Sequence, residues 1–175
     1  MLLAERKKQQ NISQYIIYMY QTELLIRNFE FDLSQIQNEI VNKIPAETLD
    51  EKGKLAEIDW YRGLIKSMKE EGLEKTGHLR AVQELVKELS DLSLNLLTED
   101  PDYQVIFNAA RPAIRENIIA SDGNISDPIQ ACLNGVFGLL IARMKDEQVS
   151  EEEMAKIEHF GNVLSYLSHK RKVSN

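Results

Sequence analysis

The sequence predicts an all-α fold, a single-domain bundle of six or seven mostly antiparallel helices, on three observations. Apolar residues recur at spacings of three, four and seven along most of the chain, without convincing strand alternation. Cap residues and prolines interrupt that period at helical lengths. One stretch, Asp127 to Lys145, is apolar on nearly every side, and a helix of that kind has to be buried. Residues 128–145 are therefore expected to form the buried central helix. A chain of 175 residues, 43% of them hydrophobic, holds material for one sizeable core. Residues 1–175 are read as one helical domain, with 1–10 and 170–175 as candidate mobile ends.

Each element has its own warrant. From Asn11 the line Ile12, Tyr15, Ile16, Met19, Ile26 and Phe29 is helical, and Asn11 with Gln14 has the form of a capping box. Leu3 to Gln10 could extend that helix backwards. A second helix is expected over Leu33–Lys43, with Asp32 and Gln35 as cap signals and Pro45 as its end. Thr48 and Glu51 form the next capping box, opening a third helix with Leu55, Ile58, Tyr61, Ile65 and Met68 on its stripe and Gly72 as its stop. Gly53 and Gly63 each weaken it by up to ~1 kcal/mol relative to Ala, which points to a close contact or a bend at one of them. The clearest helix follows Gly77, running from Leu79 through Val82, Val86 and Leu89 to Leu96. Asp100-Pro101 reads as N-cap and first-turn proline of a fifth helix through Ile119. Pro112 removes one of its hydrogen bonds and is expected to kink it or split it near Asn108. The turn at Ser121–Asn124 and the pair Asp127-Pro128 lead into the central helix, and Ser150 with Glu153 caps the last one.

Composition excludes several function classes. The formal net charge of -7 gives no general attraction to nucleic acid or to an anionic membrane. Arg6–Lys8 and Lys170–Lys172 are basic, but they lie at the chain ends, where solubilising tails are commoner than binding sites. The longest apolar run, Val136–Ala142, falls far short of the ~20 residues of a membrane span. No nucleic-acid or membrane partner is expected. Cys132 has no second cysteine to pair with and lies in the apolar helix, where a free thiol serves as a small hydrophobe of raised pKa. With an N-terminus that turns charged at Glu5, this points to the cytoplasm. The sequence holds no Glu-x-x-His pair, no His-Glu-x-x-His motif and no phosphate-cradling glycine loop, so neither a metal nor a cofactor is expected.

What stands out is a set of polar and aromatic residues inside otherwise apolar helices. Glu23 falls four residues after Met19 on the first stripe, beside Gln21, and Arg27 one turn on is its nearest ion-pair partner. His78 stands at a helix start, where the dipole favours a neutral imidazole held by a structural hydrogen bond. Tyr61 lies on the third stripe, and Trp60 sits one position off it, at the core edge or at an interface. Asn134, Gly135, Gly138 and Ala142 fall together on the central helix as a strip of small side chains. The first helix is expected to pack along that strip, so that Glu23, or Gln21, reaches Asn134 in one polar network. Gln21, Glu23, Arg27, Tyr61, His78 and Asn134 are thus candidate ligand or network residues, and Trp60 is the candidate interface residue. No residue is a candidate for catalysis or for metal binding.

The run Asn11-Ile12-Ser13-Gln14-Tyr15-Ile16-Ile17-Tyr18-Met19-Tyr20-Gln21-Thr22-Glu23, with Gly77-His78-Leu79 and Asn134-Gly135-Val136-Phe137-Gly138, resembles an uncharacterised family of small helical bacterial proteins classed as a domain of unknown function. The likeness spans nearly the whole chain. Phe137 stands where relatives tend to carry tyrosine, so no role for a phenol hydroxyl transfers to that position. The resemblance implies an all-helical fold and a cytoplasmic, bacterial setting, and implies no substrate, cofactor or catalytic residue. Two functions stay in play. The first is a non-enzymatic interaction or scaffold protein acting as a homodimer, with room for a further protein partner. The alternative is a small-molecule-binding protein or enzyme with an inter-helix pocket lined by Glu23, Arg27, Tyr61, His78 and Asn134.

Overall fold

The computed structural model describes residues 2–175 and contains eight α-helices, one short 3-10 turn and, among the described residues, no strand. The all-α expectation holds, and the helix count exceeds the expected six or seven because Leu3–Gln10 forms a helix of its own, α1. Asn11 separates it from α2 (Ile12–Asn28). Its backbone is extended, its N–H donates to Lys7 O at the end of α1, and its side chain accepts the Gln14 N–H at the start of α2. One residue thus ends one helix and begins the next.

α3 (Leu33–Glu39) is capped by Asp32, and residues 41–43 tighten into the 3-10 turn before Pro45. α4 (Glu51–Glu70) is capped by Asp50, whose Oδ1 accepts the Gly53 N–H at 2.8 Å, rather than by Thr48. Gly53 is the glycine that a close contact requires, since a Cβ there would lie 2.5 Å from Leu49 Cδ1; at Gly63 it would meet nothing within 4 Å. Asp100 ends α5 (Arg80–Glu99) and caps α6 (Pro101–Ala120), which runs through Pro112 without splitting. α7 (Pro128–Met144) is capped by Asp127, which also accepts the Ser90 hydroxyl at 2.6 Å and so ties α7 to α5. α8 (Glu151–Ser174) starts at Ser150 and carries Arg171 and Lys172 in its last turn, where cations suit the helix dipole. Residues 3–10 and 170–174, within the candidate mobile ends, are helical, Met1 lies outside the described residues, and Ala4 of α1 is buried.

One continuous core draws Ile16 and Met19 from α2, Met68 from α4, Leu89 from α5, Tyr103 from α6, Leu133 from α7 and Leu167 from α8. α8 packs most extensively, against α6 and α7. Burial of α7 stops halfway. Ile129, Ala131, Cys132 and Leu133 are buried, whereas no residue from Asn134 to Met144 is, and Met144 is 61% exposed. The all-round apolar composition of this helix exceeds what its own chain covers.

Candidate functional site

Glu23 and Arg27, one turn apart on α2, face the connection between α4 and α5. Glu23 is fully buried. Its Oε1 accepts the Leu79 N–H at 2.9 Å, and its Oε2 lies 2.6 Å from His78 Nδ1. Leu79 is the N-cap position of α5 and has no side-chain acceptor, so Glu23 supplies the cap from another helix, with Glu71 accepting the Arg80 N–H at 2.7 Å beside it. A carboxylate at this positive helix end is doubly favoured. Arg27 is not the ion-pair partner of Glu23: its Nε donates to Leu73 O at 2.9 Å and its Nη2 to Gly77 O. Gly77 has a φ of +98°, which glycine supplies without strain, and this turns its carbonyl and the following His78 toward α2.

The expected contact between Glu23 and Asn134 does not form. Tyr20, one turn before Glu23, occupies the space between α2 and α7, and its ring stacks on the His78 imidazole at 3.7 Å between centroids. The Tyr20 hydroxyl accepts from Gln130 Nε2 at 3.0 Å, and the same amide donates to Asn134 Oδ1 at 2.8 Å. Phe137 meets the Tyr20 ring edge-on at 5.8 Å. Glu23, His78, Tyr20, Gln130 and Asn134 thus form one sequence of contacts, in which the two predicted partners are the ends. Burial pushes the Tyr20 hydroxyl up to about 12, so it enters this sequence as a neutral phenol. A buried carboxylate that orients a partly open imidazole, its side chain 29% exposed, has the form used in general acid–base pairs. Here the carboxylate also caps α5 and the ring is stacked, uses that hold the α4–α5 connection in place.

Gln21 and Tyr61 lie elsewhere. Gln21 Nε2 is 4.0 Å from Met144 Sδ, and the Gln21 side chain lines a cavity of about 190 Å³ together with Tyr61, Tyr18, Leu25, Ile40 and Glu57. Trp60 stacks on Tyr18 at 6.1 Å and meets Tyr61 edge-on at 5.1 Å, so it is half-buried behind the aromatic wall of this cavity. The pocket envisaged for Glu23, Arg27, Tyr61, His78 and Asn134 together is therefore divided between two places. Sequence reasoning missed Glu57, which is only 2% exposed and accepts the Leu3 N–H at 2.9 Å through Oε1. Its signal was present: Glu57 falls four residues before Tyr61, on the face that the stripe through Tyr61 and Met68 marks as buried.

The small-residue strip of α7 faces α8, not α2. A Cβ on Gly135 would lie 2.5 Å from the Phe160 ring, so glycine is what lets α8 approach there. Beyond that point the helices part around a cavity of about 520 Å³ whose lining includes Asn134, Gly138, Ala142, Val149 and Ile157. Among the described residues no cluster of three His, Cys, Asp or Glu side chains is placed to hold a metal ion, and no helix is long and apolar enough to cross a membrane.

Helix packing, caps supplied across helices and a half-covered apolar α7 define an all-helical protein whose polar interior holds its helices in register. The chain belongs to the family described as "Domain of unknown function (DUF4924)", whose model matches residues 1–175. No curated protein and no solved structure matches it.

Proposed function

We propose that this is a non-enzymatic interaction protein of the cytoplasm that works as a homodimer, joined through the second half of α7. The observation that carries this reading is that Val136–Met144, apolar apart from Gly138 and Arg143, contains no buried residue. Val136 and Phe137 pack partly against the core, and the half-exposed apolar run from Leu139 to the exposed Met144 is what marks an association site. Gly138 adds to it, because a Cβ there would meet nothing within 4 Å and a second helix can approach the backbone closely. A second copy of the chain is the occupant that the charges favour. Arg143 and Lys145 at the end of the patch are followed at once by Asp146 and Glu147, so this end carries both signs and can complement a second copy of itself despite the net charge of -7. The buried free thiol of Cys132 suits a reducing compartment.

Light scattering on the eluting protein tests the reading. At micromolar concentration a mass of twice 20.1 kDa is expected, and Leu140→Glu with Met144→Glu should return it to one chain without loss of helix content. A wild-type mass of one chain throughout that range would overturn it.

A further inference from the structure

We infer that the cavity between α2 and α4 is a binding site for a small organic cation, a short aliphatic ammonium, held by Glu57. Glu57 is only 2% exposed, yet among the described residues no basic side chain pairs with it. Oε1 accepts the Leu3 N–H. Oε2 hydrogen-bonds to no described residue, and Glu57 lines the cavity. A buried carboxylate with one uncompensated oxygen is costly unless a positive charge meets it.

The rest of the wall selects what carries that charge. Tyr61 presents aromatic surface, to which a cation is drawn, while Tyr18 already has Trp60 stacked on its ring and the Lys7 ammonium 5.5 Å from its centroid; Trp60 packs against both tyrosines. Burial pushes the Tyr18 hydroxyl up to about 12 and raises that of Tyr61 as well, with the Glu57 charge adding to both, so the phenols are neutral at physiological pH and Glu57 is the one negative group of the cavity. Leu3, Leu25, Ile40 and Ile44 make most of the remainder apolar, with Gln21 and Thr22 as its other polar side chains, which suits a hydrocarbon body rather than a hydrated metal ion. A volume of about 190 Å³ corresponds to about six waters, hence to a molecule of about that many heavy atoms.

The test uses Trp60, the single tryptophan of the chain, as reporter in the full-length protein. n-Butylammonium chloride is titrated against its emission, with n-butanol and sodium butyrate as neutral and anionic counterparts of the same length. A response to butylammonium that saturates within the millimolar range, and none to the other two, is expected. Glu57→Gln should weaken the ammonium response at least tenfold. Since removing Glu57 also releases the Leu3 N–H, Ile44→Phe serves as a second variant: it fills the cavity, leaves the carboxylate in place and should abolish the response. An equal response to butanol, a linear rise without saturation, or butylammonium binding unchanged in Ile44→Phe would each overturn the assignment.

Discussion

Glu23 shows how a buried carboxylate is satisfied in this chain by groups far away in sequence. The out-of-pattern position of Glu23 on α2 was legible, and so was the helix-start position of His78. Their meeting was not, since periodicity within one helix says nothing of which loop will cross it 55 residues later. Arg27 was assigned to Glu23 by proximity on the helix, but it donates to two carbonyls of the α4–α5 connection, while His78 and the Leu79 N–H take up both Glu23 oxygens. Removing the carboxylate with Glu23→Ala leaves the Leu79 N–H buried and unpaired, and thermal or denaturant unfolding should show a loss of about 1–3 kcal/mol. The contact sequence also fixes the pattern of coupling. Glu23→Ala with His78→Ala should be clearly non-additive, and Glu23→Ala with Asn134→Ala close to additive, because the latter pair does not touch. Strong coupling between Glu23 and Asn134 would show that α2 and α7 meet as the sequence suggested and not through Tyr20 and Gln130. Cys132 gives a simpler test. Burial pushes its thiol up to about 12, so a disulfide exchange reagent should modify it only after unfolding, and prompt reaction in the native state would contradict its placement.

At the scale of elements the caps were the most readable feature. Asn11, Asp32, Asp100, Asp127 and Ser150 all accept the amides that their positions implied, because a cap is a local interaction over two or three residues. Thr48 failed only because Asp50 stands closer to the first turn of α4. Mid-helix glycines were ambiguous from sequence, and their surroundings now separate them. Gly135→Ala should cost about 1–3 kcal/mol by pressing a methyl into the Phe160 ring. Gly63→Ala, with open space around it, should stabilise by about 0.5–1 kcal/mol, and the two changes in melting temperature should have opposite signs. Asp100 joins elements in a pH-dependent way. Its carboxylate is held down to about 2, first by the Tyr166 hydroxyl of α8, then by the Tyr103 amide, with Lys170 3.1 Å away. The folded value lies below the unfolded one of about 3.9, so the contribution is complete above that pH and fades as pH falls toward the folded value. Asp100→Asn should therefore melt lower than the parent at neutral pH, and the gap should narrow as the buffer is taken from about pH 5 to about pH 2. A gap that is constant with pH would mean that the tether carries no linked proton.

For the molecule as a whole, the helical class followed from the period, whereas the covering of α7 did not. An apolar wheel states that a helix must be covered and leaves open what covers it, and here its own chain accounts for the first half and not for the second. If a second copy supplies the missing cover, protection of α7 must obey mass action while protection of the core must not. Amide hydrogen exchange measured on the same protein at dilute and at concentrated conditions separates the two. Peptides spanning Val163–Leu167, buried by intrachain packing, should exchange equally slowly in both. Peptides spanning Val136–Met144 should slow as concentration rises, and Leu140→Glu should remove that dependence while leaving 163–167 unchanged. Exchange over 136–144 that is fast and independent of concentration would mean that no second copy covers this helix. Exchange that is slow and independent of concentration would mean that α7 is protected within one chain, and the half-covered face from which the dimer is argued would not exist in solution.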